Sequence, residues 1–122
     1  YWIVPYLTSF QIVGWLCEIS EHYPLFETGK NNLQMTRNRF AKWWEAWFFS
    51  MHNENYHLTH HLYASIPFWN LPKAHSVMMK DEEYALYNSC FGGIFSCSTQ
   101  FKNGKTVLNQ IKEVFVTRQE LI

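Results

Sequence analysis

Three histidines within five residues, His57, His60 and His61, form the densest group of metal-binding side chains in the sequence. Imidazole is a good ligand for iron, copper, nickel and zinc. On an α-helix each residue advances the side chain by about 100°, so His60 and His61 fall on either side of His57, within about 60° of it. One helical face would therefore carry three candidate metal ligands.

The adjacent pair, His60 and His61, indicates how many ions the group would hold. Their side chains diverge by about 100° on a helix, which is too wide for comfortable binding to one ion. Two neighbouring metals could each take one of them, so the spacing favours a dinuclear centre. The alternative is a surface group of histidines whose hydrogen bonds are satisfied without a metal.

The first part of the chain predicts the element that would lead into this group. Residues 1–17 carry no charge, and a bilayer core needs about 20 mostly apolar residues to be crossed as a helix. We therefore expect residues 1–20 to be the remainder of a last transmembrane helix, with a buried helix of a soluble core as the alternative. The chain opens on Tyr1 within this apolar run, which favours the C-terminal piece of a longer protein.

The basic residues that follow the apolar run predict the topology. Lys30, Arg37, Arg39 and Lys42 lie within a short stretch, and positive residues favour the cytoplasmic side of a membrane. Residues 21–105 are therefore expected to form a cytoplasmic cap that carries the histidines. The aromatic run at 43–49 suits a helix at the level of the lipid headgroups, or packing against other helices.

Capping and breaking residues predict further helices in the cap. Ser50 or Asn53 is expected to cap the helix that carries the histidines, and Pro67 to end that helix near residue 65. Asn70 is expected to cap a further helix that has Pro72 in its first turn and continues through 74–86. The pair at 92–93 (GG) is expected to break the pattern. Residues 106–122 read as a terminal helix with an apolar packing stripe. The expected class is all-α and membrane-embedded.

Composition excludes several classes of function. The formal net charge is zero, so there is no electrostatic footprint for nucleic acid. The three cysteines, Cys17, Cys90 and Cys97, lack CxxC spacing, which argues against a disulfide framework and a zinc ribbon. No flavin, haem or iron-sulfur signature is present.

Four segments carry a resemblance to a known family. Residues 52–63 (HNENYHLTHHLY) and 65–75 (SIPFWNLPKAH) resemble the third histidine box of membrane fatty acid desaturases and its continuation. Residues 21–25 (EHYPL) and 36–39 (TRNR) look like the segments that precede this box. The resemblance covers about residues 1–80.

The resemblance implies a function that this chain would share with missing segments. Members of the family are multi-helix membrane enzymes whose histidine boxes hold two irons, activate dioxygen and abstract hydrogen from an acyl chain. The family has two earlier boxes, HxxxH or HxxxxH and then HxxHH, and neither is found upstream of residue 52 in this sequence. The chain is therefore expected to be inactive alone, and to need a fatty acyl lipid and an electron donor of the ferredoxin or cytochrome b5 type.

The resemblance also suggests roles for single residues. It makes His22, His57, His60 and His61 the expected iron ligands. Glu18 lies four residues before His22, where related enzymes have an asparagine, so it is expected to hold a metal-bound water or to orient His22. For Glu18 and for His22, the alternative role is an interfacial salt bridge or hydrogen bond.

Two further histidines are weaker candidates for the site. His52 lies off the helical face of His57, and is expected to bond a neighbouring ligand or the backbone, in the surroundings of the site. His75 is expected to be structural or to line the path of the acyl headgroup.

Other functions remain open from the sequence. Hydroxylation or ketolation of a lipid or carotenoid would use the same histidine boxes, and a non-catalytic membrane protein could bind metal through them.

Overall fold

The computed structural model describes residues 1–120, in which the chain forms α-helices joined by turns and short 3₁₀ segments. The helices are α1 (Ile3–Leu7), α2 (Ser9–His22), α3 (Leu25–Thr28), α4 (Trp43–Phe49), α5 (His57–Leu62), α6 (Leu71–Met78), α7 (Glu82–Asn88) and α8 (Val107–Glu120). The 3₁₀ segments are Asn32–Gln34, Met51–Tyr56 and Phe68–Asn70. Within the described range no strand forms beyond one isolated bridge between Phe91 and Lys105. The all-α prediction is confirmed.

The apolar N-terminal run is interrupted at Thr8. Its backbone leaves the helical region (φ −126°, ψ −91°), and its hydroxyl donates a hydrogen bond to the carbonyl of Val4 at 2.6 Å. The expected helix over 1–20 is therefore divided between α1 and α2. Across residues 1–120, no helix combines the length and apolar character that crossing a bilayer requires. The membrane-embedded part of the predicted class stays a prediction.

The centre of the fold is a non-helical segment of mostly polar residues, 36–40, which we call the core segment. Each of its side chains is at most 4% exposed. The backbone N–H of Arg39 donates to the carbonyl of Asn55 at 2.8 Å, which ties this segment to the residues that lead into α5. Buried polar groups need partners, so the core segment fixes the elements around it.

The histidine helix is shorter than the sequence indicated. Residues 51–56 form a 3₁₀ segment in which His52 and Asn53 take left-handed backbone angles (φ 56° and 62°), so α5 begins only at His57. Neither Ser50 nor Asn53 caps it, and the Asn53 amide instead donates to the carbonyl of Phe68 at 3.0 Å. α5 ends at Leu62, three residues before the expected end.

The helix expected after Asn70 is divided into α6 and α7. Asn70 provides no side-chain cap for α6, whereas the carboxylate of Asp81 accepts from the backbone N–H of Tyr84 at 2.9 Å and starts a new helix. The expected break at 92–93 is present, and α8 begins at Val107. Positions 121 and 122 of the predicted terminal helix lie outside the described residues.

The aromatic helix α4 is anchored by a buried carboxylate. Glu45 is 1% exposed, and its oxygens accept from the backbone N–H groups of Ile94 and Ser96 and from the Ser96 hydroxyl. This anchor leaves Trp43 and Trp47 at 83% and 71% exposure. Both interpretations of the aromatic run, headgroup contact and packing against further helices, remain open.

Candidate metal centre

The last turn of α2 supplies one side of the candidate site. The helix ends at His22 because Tyr23 is extended (ψ 140°) and Pro24 has no N–H to continue the helical hydrogen bonds. The His22 Nδ1 atom lies 3.3 Å from the carbonyl oxygen of Met35. A carbonyl only accepts, so Nδ1 carries the proton and Nε2 of the neutral ring has a free lone pair.

The short helix α5 supplies the other side. His57 and His61 are one turn apart and share a face, with ring centroids 4.5 Å apart. Leu58 and Thr59 are fully buried on other faces. The His57 Nδ1 atom lies 3.2 Å from Oε2 of Glu21. A carboxylate accepts this Nδ1 proton, so the Nε2 atom of His57 is also free of a proton.

The two helix ends bring these nitrogens together. His22 Nε2 and His57 Nε2 are 3.0 Å apart, and the His61 ring lies 5.1 Å from that of His22. One ligand atom from each of the three histidines lies within 4.8 Å of the others. Two nitrogen lone pairs facing each other at this distance repel unless a cation or a proton lies between them. The arrangement is that of a chelating site.

The electrostatics favour neutral imidazoles. Burial, followed by the charges of His61 and His22, lowers the pKa of His57 to about 3. Burial also lowers the pKa of His61. Metal ligation requires the unprotonated nitrogen, so these shifts remove the competing proton at neutral pH.

The donor set fits a transition metal. Nitrogen ligands about 2.1 Å from an ion lie roughly 3.0–3.4 Å from one another in tetrahedral or octahedral geometry, and the His22–His57 separation is 3.0 Å. Three imidazoles suit iron, and also zinc, copper and nickel. We call His22, His57 and His61 the histidine trio.

His60 lies apart from this trio. Its ring centroid is 6.5 Å from that of His57 and 6.2 Å from that of His61. It lines a cavity of about 300 Å³ together with His52 and Glu54, and His57 is the member of the trio that reaches the same cavity. The divergence of His60 from His61, expected from helical geometry, is present in the structure.

The two residues expected near the ligands take different positions. Glu18 is 72% exposed at its side chain, and its carboxylate lies 3.8 Å from Nε2 of His22. His52 packs its ring edge against Phe68 at 5.1 Å and lies on the cavity beside His60. Neither belongs to the group of converging nitrogens. His75, by contrast, is 5% exposed.

The sequence did not predict that Glu21 and Arg39 belong to the metal site. Glu21 is 5% exposed and joins the His57 ring to Arg39, whose guanidinium donates to Oε1 of Glu21 at 2.6 Å. Arg39 also donates to the carbonyl of Phe49 at 3.0 Å. Burial raises the pKa of Glu21 to about 7, although Arg39 opposes this. The only signal was two opposite charges in motif segments, far apart in sequence.

Imidazoles that converge from two helix ends form a candidate metal site of the kind that helical histidine-ligated metalloproteins use. Residues 1–91 match the family described as Fatty acid desaturase. The dihydrorhizobitoxine desaturase of Bradyrhizobium elkanii is 42% identical over 113 residues, which are 93% of this chain and 32% of that protein. No solved structure gives a significant match.

The chain belongs to the fatty acid desaturase family, as the resemblance of its histidine box indicated. It spans about a third of the length of the relative it matches. The match to the family ends at residue 91, so α8 lies beyond it.

Proposed function

We propose that this chain is the C-terminal part of a membrane di-iron desaturase that uses dioxygen to introduce a double bond into a fatty acyl chain. Family membership supports this proposal. The observation that carries the metal site is the approach of His22 Nε2 and His57 Nε2 to 3.0 Å, each with its Nδ1 atom beside an acceptor.

In this proposal the histidine trio would hold one iron. His60 would serve the second iron, and ligands from outside this chain would complete both. The bound irons would supply the oxidising power that an inert C–H bond requires. One third of the relative's length contains only part of such a site, so the chain alone is expected to be inactive.

The protein residues orient the ligands. Glu21 keeps the proton of His57 on Nδ1, and Arg39 holds the Glu21 carboxylate in place. Such partners fix the ring orientation of a ligand histidine and raise its basicity. Glu18, at 3.8 Å from His22, would hold a water or orient this ring.

An apolar groove beside His22 supports a hydrocarbon substrate. It has a volume of about 550 Å³ and lies between the end of α2 and the face of α8 that carries Ile111 and Phe115. The lining is almost wholly apolar apart from Glu18 and His22. A saturated chain in this groove would exclude water from the neighbouring imidazoles.

Exposed apolar side chains on α1 and α2 support attachment to a membrane. Ile3, Ile12 and Trp15 are 73%, 70% and 70% exposed. The basic residues after α2 favour the cytoplasmic side for the histidine box. Electrons would come from a ferredoxin or cytochrome b5 type donor, because the sequence carries no redox signature of its own.

The matched relative favours a second candidate substrate. That protein is a dihydrorhizobitoxine desaturase, so dihydrorhizobitoxine is a candidate for this chain as well. Two different outcomes at the same histidines are insertion of oxygen in place of desaturation, and metal binding without catalysis.

Expression of the complete protein in a host without its own desaturase separates these functions. Mass spectrometry of supplied acyl lipids and of dihydrorhizobitoxine should show the loss of two hydrogens for desaturation and the gain of oxygen for hydroxylation. The His57→Ala variant is the inactive control. Residues 1–122 expressed alone should enter the membrane fraction and give no product. Product from residues 1–122 alone would refute the proposal that this chain holds only part of the site. A complete protein that gives no product and contains no iron would refute the proposed desaturase function.

Topology has its own test. Cys97 is exposed and gives a native site for a membrane-impermeant thiol reagent. It should be labelled from the cytoplasmic side, with Cys97→Ser as control. Labelling only from the opposite side would contradict the proposed orientation.

A further inference from the structure

A buried polar network packs against α5 on the side away from the histidine trio. The hydroxyl of Tyr84 lies 2.8 Å from the Thr59 hydroxyl, from Nδ1 of His75 and from the Asn38 amide nitrogen. The Asn38 amide also donates to the Asn88 side chain at 2.8 Å, and its oxygen accepts from the backbone N–H of Thr59 at 3.2 Å. All five residues are at most 5% exposed.

Thr59 connects this network directly to the histidine box. It lies two residues after His57 and two before His61, so on a helix its side chain points about 160–200° away from theirs. Asn38 belongs to the core segment, between Arg37 and Arg39. Arg39 holds the Glu21 carboxylate that faces His57. The core segment therefore contacts both sides of α5. On the metal side Arg39 acts on His57 through Glu21, and on the other side Asn38 bonds to Thr59 directly.

Because α5 is short, tertiary contacts on both of its sides are needed to fix its orientation. A helix of six residues is not stable by itself, so its rotation is set by tertiary contacts. The ligand nitrogens lie roughly 6 Å from the helix axis, and a rotation of 10° moves them by about 1 Å. Metal–ligand distances tolerate only about 0.2 Å. Small rotations of α5 would therefore spoil the site.

We propose that Thr59, Asn38 and Tyr84 are positioning residues, which set the rotation of α5 and thereby the places of His57 and His61 in the metal site. The inference rests on the proposed metal site. The Tyr84 hydroxyl is the hub, because it meets one group each from α5, α6 and the core segment. Thr59 is the point at which the network holds the ligand helix.

The test compares hydroxyl-deletion variants in the complete protein. Thr59→Val and Tyr84→Phe each remove one hydroxyl and keep the shape of the side chain. Thr59→Ser keeps the hydroxyl and serves as the rescue variant. Tyr87→Phe is the matched control. Tyr87 lies on α7 like Tyr84, but its hydroxyl donates to the carbonyl of Thr36, which is outside the network. Circular dichroism establishes folding, Fe²⁺ titration gives affinity, and visible absorption of the Co²⁺-loaded protein reports the ligand geometry.

Thr59→Val and Tyr84→Phe should fold, bind Fe²⁺ about 10-fold more weakly and show an altered Co²⁺ spectrum. Thr59→Ser and Tyr87→Phe should keep the wild-type spectrum and affinity. Folded deletion variants with wild-type spectrum and affinity would overturn the proposal, as would equal loss in Tyr87→Phe. If both deletion variants fail to fold, the network serves folding and the proposal is wrong. A wild-type protein that binds neither metal would instead refute the proposed function, and this inference with it.

Discussion

Replacing Glu21 by glutamine tests the contact that orients the candidate metal ligand. The carboxylate lies between Nδ1 of His57 at 3.2 Å and the Arg39 guanidinium at 2.6 Å. Glutamine has the same shape but no charge. Glu21→Gln should therefore leave Arg39 buried without a counter-charge and weaken the hold on the His57 ring.

The magnitude follows from burial. Arg39 is 2% and Glu21 5% exposed, and removal of one partner from a buried ion pair costs about 3–5 kcal/mol. Glutamine keeps one acceptor oxygen, so we expect about 3 kcal/mol lower free energy of unfolding. Loss of an orienting partner lowers metal affinity by about 10–100-fold. The pKa of Glu21 is raised to about 7, so the carboxylate is ionised above that pH, and the effect should grow as the pH rises through it.

The assay is Fe²⁺ titration and denaturant unfolding of the complete protein at about one pH unit above that pKa, with a repeat about one unit below it. Glu83→Gln is the matched control, since Glu83 is an exposed carboxylate on α7 that makes no contact with the histidine trio. A double variant, Glu21→Gln with Arg39→Met, should regain stability, because the buried charge is gone, but not metal affinity. Affinity within about threefold of wild type for Glu21→Gln above the raised pKa, or equal losses for Glu83→Gln, would refute the reasoning.

Three further predictions concern other parts of the chain. His60 lies outside the histidine trio, so His60→Ala should lower the iron content measured by elemental analysis without abolishing it, and complete loss would contradict the geometry. Burial lowers the pKa of His75 in the folded state. Below about pH 6.5 the unfolded chain therefore binds a proton that the folded chain excludes, and the free energy of unfolding decreases as the pH is lowered. His75→Gln should reduce this slope in urea unfolding by up to about 1.4 kcal/mol per pH unit, and an unchanged slope would refute it. A Cβ at Gly93 would meet the Glu45 carboxylate, so Gly93→Ala should lower the unfolding free energy by about 1–3 kcal/mol. Gly14→Ala, with open space around its Cβ, is the control and should not be destabilised.

Local spacing was enough to predict how the three histidines of α5 are arranged around their helix. The close spacing of His57, His60 and His61 in the sequence predicts how their side chains spread around one helix, because backbone geometry fixes the angle per residue. The divergence of His60 from His61 follows from the same rule. The break at 92–93 and the terminal helix from Val107 were also predicted, since glycines and apolar periodicity act locally. Family membership could also be predicted, because the motifs that indicate it are short contiguous segments of the sequence.

Helix boundaries depended on contacts that the sequence does not display. α5 begins at His57 because His52 and Asn53 take left-handed angles, which the capping preferences of Ser50 and Asn53 did not predict. The interruption at Thr8 was equally hidden, since nothing in the apolar run predicts a break there.

Only the tertiary structure decided which residues surround the ligands. Glu21 meets Arg39 across 18 positions of sequence, and Thr59 meets Tyr84 across 25. Such pairs are set by how helix ends pack around the core segment, and side-chain types alone do not specify that packing. For this reason the sequence singled out the ligand histidines, while the residues that orient them emerged only once the chain was folded.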